Sequence, residues 1–169
     1  VAIIDDGVDL NHPDLVDNLL AGYDATGNNS HGGSNSSNND AHGTNCAGIV
    51  GAVSNNGIGI AGVAYNAKII PIRIAYSNGY PLGDERRHWI SGDSWIVSGI
   101  NWAVNNGADV LSCSWGGGSS STAINNAIDN AVNNGRNING VKKGCIVLFS
   151  SGNNNSGVSY PATRSNVIA

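Results

Sequence analysis

"WIVSGINWAVNNGADVLSCSW", Trp95 to Trp115, contains two apolar patterns of different period joined by a stop signal. Trp95, Ile96, Ile100, Ala103 and Val104 recur at helical spacing after the start signal Ser91-Gly92-Asp93-Ser94, and Asn105-Asn106-Gly107 supplies the turn that ends a helix. From Ala108 to Ser114 the apolar run does not alternate, the pattern of a short strand covered on both faces. A helix that feeds directly into such a strand is half of a βαβ unit.

The same alternation extends outward in both directions. Val1 to Asp5, Lys68 to Ala75, Cys145 to Ser150 and Asn166 to Ala169 read as further strands. His42 to Val53 reads as a helix of small residues. Another begins near Ser121-Thr122, puts Ala123, Ile124, Ala127, Ile128, Ala131 and Val132 on one side, and stops at Gly135. The expected fold is therefore α/β, a mostly parallel twisted sheet with helices on both faces, formed by residues 1–169 as a single domain. Gly22 to Asp40, "GYDATGNNSHGGSNSSNND", has no periodicity and reads as a long surface loop.

Composition narrows the function. Of the 169 residues 40% are hydrophobic and 12% charged, with Gly, Asn and Ser supplying most of the polarity. A formal net charge of −4 offers no cationic footprint for a phosphate backbone, so no nucleic-acid partner is expected. No apolar run approaches the roughly 20 residues of a membrane-spanning helix, and no signal-peptide pattern opens the chain. Val1 lies within an apolar run with no initiating Met, so the chain reads as processed or trimmed. Cys46, Cys113 and Cys145 are odd in number, sit beside small or apolar neighbours and have no metal-site spacing; they read as buried free thiols, and no disulfide is supported.

Parallel sheets bind ligands beyond the carboxyl ends of their strands, which directs attention to Asp5, to Ser114 through Gly117 and to Ser150 through Asn153. Asp5 ends an apolar strand beside the turn Asp6-Gly7, where a carboxylate can be partly buried and still orient an imidazole. His42 opens a helix whose small residues admit close packing beneath the ring. Asn153, in "SGNNN", offers a neutral donor suited to an oxyanion. "SWGGG", Ser114 to Gly118, leaves room for a peptide backbone to pair with a strand end. Taken singly, they also read as a turn aspartate, a helix-start histidine, a loop asparagine and a glycine turn.

Their order is more specific: "VAIIDDGVDLNHPDL", "HGTNCAGIVGA", "SWGGG" and "SSGNNN", with "GIGIAGVAYNAKIIPIRI" and "SYPATRSNVIA" between and after them, resembles the subtilisin-like serine proteases over nearly the whole chain. The resemblance implies that Asp5 is the orienting acid, His42 the general base and Asn153 the side-chain donor of the oxyanion hole, with peptide or protein as substrate. It implies that Trp89-Ile90-Ser91 and Ser114-Trp115-Gly116 flank an extended substrate, and that Ser150-Ser151-Gly152 with Ser159 forms the pocket for the residue before the scissile bond. No acidic residue lies among those pocket positions, so broad or apolar specificity is expected there. Cys46 falls just behind His42, as in relatives resembling proteinase K, which implies sensitivity to mercurials. "SNNGIGIAG", Ser54 to Gly62, resembles a calcium-binding loop, with Asp14, Ser54, Asn56, Ile58 and Ile60 as the implied oxygen ligands; the chemistry itself requires no cofactor. Secretion and a monomeric state are also expected. His12, His31 and His88 read as solvated surface residues.

The family's nucleophile lies in a "GTSxAxP"-like segment, and none occurs here, so the sequence reads as truncated before that serine. Ser98 and Ser156 each precede Gly, but one lies in a helix pattern and the other in a loop, and neither has an elbow setting. Two classes of function stay open: an endopeptidase whose serine lies beyond Ala169, and a noncatalytic peptide-binding module. A nucleotide site at "GIGIAG" is disfavoured because those glycines precede a strand instead of bridging strand to helix.

Overall fold

The computed structural model describes residues 1–81 and 84–169. Its strands are β1 (Ala2–Asp5), β2 (Tyr23–Asp24), β3 (Ile70–Arg73), β4 (Ala75–Ser77), β5 (Trp89–Ser91), β6 (Val110–Cys113), β7 (Asn137–Ile138), β8 (Val141–Lys142) and β9 (Ile146–Phe149). The α-helices are α1 (His42–Gly51), α2 (Asp93–Asn105) and α3 (Thr122–Asn134). One parallel sheet has the order β2-β3-β1-β6-β9, and β4–β5 and β7–β8 form two small antiparallel pairs.

Each face of the sheet has its own core. Ala2 and Ile4 point into a cluster with Ile100 and Ala103 of α2 and Ile124, Ile128 and Ala131 of α3. Ile3, between them in sequence, joins Val8, Leu15, Ala47 and Ile69 on the face covered by α1. The two-residue repeat of a strand places alternate side chains on opposite faces, so a continuous apolar run is what both covers require. Burying each such Ile or Leu is worth about 1.5–3 kcal/mol. At the start of α3, the Ser121 hydroxyl accepts a hydrogen bond from Ile124 N, a side-chain cap where the sequence places the helix start.

Four features depart from the sequence reading. The run Lys68 to Ala75 is divided, with Ile74 leaving the sheet so that β4 pairs with β5. Asn166 to Ala169 forms an isolated bridge between Leu148 and Ile168 instead of a strand. β6 and β9 alternate in burial, and neither contributes a residue to the cluster on the α1 face. The long loop contributes edge strand β2, and behind it Asp24 accepts hydrogen bonds from both the backbone N–H and the hydroxyl of Thr26 and of Ser30.

Candidate active site

β1 ends at Asp5, whose residue is 0% exposed. Its Oδ1 accepts a hydrogen bond from Asp6 N at 2.9 Å and lies 2.8 Å from His42 Nδ1. A carboxylate only accepts, so Nδ1 carries the proton toward Asp5 and Nε2 is left to take another. The His42 side chain is 44% exposed, so the ring bridges the buried acid and solvent. The hydrogen bond to Asp5 is the largest cause that pushes the His42 pKa up to about 10, with Cys46 adding to it against the cost of burial.

Backbone contacts bring helix and strand this close. Asp6 is also fully buried, and its carboxylate accepts from Gly43 N at 2.7 Å and His42 N at 3.3 Å, which ties the first turn of α1 to the end of β1. Burial and the neighbouring Asp5 charge raise its pKa to about 7, outweighing those two N–H donors. A side chain at Gly43 would put its Cβ 2.3 Å from Gly7 O and 2.9 Å from Asp5 Cβ, so only glycine permits the approach. Sequence reasoning recognised the need for small residues but read Asp6 merely as part of a turn. Its signal is a second carboxylate beside the first, at the mouth of a helix that lacks any side-chain N-cap of its own.

His42 opens onto a cavity of about 540 Å³ lined also by Trp89, Ser114, Trp115, Gly116, Ser150, Gly152, Asn153 and Ser159. Trp89 meets the His42 ring edge-on, centroids 5.3 Å apart. Trp115 is anchored by an indole N–H donated to Ile4 O at 2.8 Å, which docks the segment after β6 against β1. Ser91 donates its hydroxyl to Ile74 O and lines an adjoining cavity of about 430 Å³, while Ile90 and Ser151 line neither. Asp5 with His42, and His42 with Asn153, are thus brought together from three distant parts of the chain. Arg87 lines the same cavity, although nothing in the sequence singled it out.

All three cysteines are free thiols. Cys113 and Cys145 are buried, but Cys46 is only half-buried, a correction to the expectation for that residue. Its Sγ lies 3.8 Å from His42 Nδ1, one helical turn along α1.

The loop assigned to calcium does wrap Asp14, but through donors. Asn56 Nδ2 and Ile60 N donate to the two carboxylate oxygens at 2.8 Å each, while Asn56 Oδ1 accepts from Ile58 N. These hydrogen bonds hold the Asp14 pKa below the usual carboxylate range. As arranged, the Asp14 carboxylate is met by two N–H donors, and Asn56 turns its amide nitrogen, not its oxygen, toward it.

Comparison with known proteins identifies relatives of this chain. Fervidolysin of Fervidobacterium pennivorans is 37% identical over 99% of this chain, which covers 22% of that protein. The major intracellular serine protease of Bacillus subtilis (strain 168) is 35% identical over 100% of this chain and 49% of its own length. The crystal structure of fervidolysin, described as a keratinolytic enzyme related to subtilisin, superposes with a TM-score of 0.73 at 35% identity, covering 95% of this chain and 22% of that one. The chain therefore spans about half or less of these relatives. The subtilase family matches residues 1–169, the whole sequence, and together with the fold this shows that the chain belongs to the subtilase family.

Proposed function

We propose that the protein is a serine endopeptidase that cleaves peptide bonds through an acyl-enzyme, with Asp5, His42 and Asn153 in the site and the attacking serine beyond Ala169. The observation that carries this reading is the 2.8 Å contact between a fully buried carboxylate and an imidazole that opens on a peptide-sized cavity. His42 Nε2 would take the serine proton as its oxygen attacks the carbonyl, then return it to the leaving amine. Asp5 holds the tautomer and stabilises the imidazolium. Asn153, at the cavity wall, would donate to the oxyanion, a role that in a comparable site is worth about 10²–10³ in kcat. The segments Trp89-Ile90-Ser91 and Ser114-Trp115-Gly116 would bind the substrate backbone, with Ser150, Ser151, Gly152 and Ser159 around the residue before the scissile bond.

The chemistry itself requires no cofactor. Asp14, Ser54, Asn56, Ile58 and Ile60 would serve as a hydrogen-bonded brace in place of a calcium site. No described helix is long and apolar enough to cross a membrane. Secretion is inferred from the family and from the Lys-poor, polar composition, and fractionation of the producing cells tests it.

The experiment is labelling of the natively produced protein with a fluorophosphonate probe, followed by mass spectrometry of intact and digested material. An adduct on a serine in a peptide beyond Ala169 supports the triad. A native product that takes no label while binding peptides supports a noncatalytic peptide-binding module instead.

A further inference from the structure

Arg87 stands two residues before β5 and lines the cavity that holds His42 and Trp89. Its guanidinium donates to Tyr80 O at 2.9 Å and Asn39 O at 3.0 Å, which fixes a half-buried side chain without neutralising it. Among the described residues it forms no ion pair. Asp40 senses its charge, but both Asp40 oxygens are already engaged, by Arg73 Nη2 and by Ser77 N. Asp5 lies fully buried behind the imidazole, and no residue that lines this cavity is acidic. On a chain of net charge −4, the wall beside His42 is locally positive. The adjoining cavity differs, since Asp93 lines it and accepts a hydrogen bond from the Ser121 hydroxyl.

We propose that Arg87 makes the site selective for substrates with Asp or Glu immediately before the residue whose carbonyl is attacked, an inference that rests on the protease reading above. Side chains alternate along an extended peptide. The residue that supplies the scissile carbonyl fills the pocket at Ser150, Gly152 and Ser159, so the preceding side chain turns to the opposite wall, where His42, Trp89 and Arg87 stand. Among the described residues the carbonyls engage two of the five guanidinium N–H donors, and a carboxylate entering the cavity would find a charge-assisted partner in the rest of the fork.

The test compares two quenched peptides that differ only by Glu or Gln at that position, cleaved by the natively produced protein. The expected kcat/KM ratio is about fivefold in favour of Glu at low salt, and it shrinks as ionic strength rises. In Arg87→Gln the ratio falls to about one, and in Arg87→Glu it inverts. Because each ratio is measured on a single preparation, a loss of folded protein cancels. A ratio of one in the native protein at low salt, or one that persists in Arg87→Gln, overturns the inference. If neither peptide is cleaved, the protease reading fails, and the same ratio is then read from the two peptide Kd values, where equality overturns the selectivity.

Discussion

At the scale of single residues, His42 sets the pH response. A base must be neutral to accept a proton, and the Asp5 hydrogen bond has moved the His42 pKa from its ordinary value up to about 10. Cleavage by the natively produced protein is therefore expected to be weak in acid and to climb through the alkaline range as the imidazolium deprotonates, which a pH profile of kcat/KM checks. Asp5→Asn removes the largest cause of the raised pKa and should move that limb toward neutrality while reducing kcat by about 10⁴. A limb that stays in place would mean that Asp5 does not govern the ring. Cys46 gives a separate handle on the same ring. Half-exposed and 3.8 Å from Nδ1, it should react with a mercurial and abolish the proposed cleavage, and Cys46→Ser should remove that sensitivity.

At the scale of elements, packing overrides propensity. Gly99 lies in the middle of α2, where Gly costs about 1 kcal/mol relative to Ala on helix propensity alone. Its absent Cβ would sit 2.5 Å from Ile74 Cγ2 and 3.0 Å from Ile72 Cγ2, both on fully buried side chains. Gly99→Ala should therefore destabilise, by about 1–3 kcal/mol in chemical denaturation, and a stabilised variant would show that α2 moves away without cost. The Asp14 loop makes a second prediction at this scale. With Asn56 Nδ2 and Ile60 N holding the carboxylate, a chelator should leave the Tm unchanged, whereas Asn56→Ala should lower it; a large fall on chelation would mean that the donors rearrange around a cation.

Across the whole molecule, one buried ion pair links the sheet to the loop that leads into the site. Arg73, at the end of β3 and 1% exposed, donates to Asp40 Oδ2 at 2.9 Å and also to Gly33 O and Ala75 O. Asp40 lies two residues before His42 and accepts from Ser77 N, so β3, β4 and the start of α1 share one network. Asp40→Ala leaves a buried guanidinium unpaired and should cost about 3–5 kcal/mol, measurable by urea unfolding. Asp40→Asn should cost less, since it keeps an acceptor for one of the two donors.

The α/β class, the three helices and the strands β1, β6 and β9 were legible in the order of residues alone, because helical spacing and short apolar runs record local geometry. The sequence also ordered Asp5, His42 and Asn153 at the ends of elements that a parallel sheet brings to one side. Folding alone reveals that Gly43 must be glycine, that Asp6 ties α1 to β1, that β2 arises from an unpatterned loop, that Asp14 is met by N–H donors and that Arg87 lines the cleft. Each of these depends on contacts between residues tens of positions apart. Such contacts leave no period in a sequence, since an isolated Asp, Gly or Arg looks the same whether it meets water or a distant backbone.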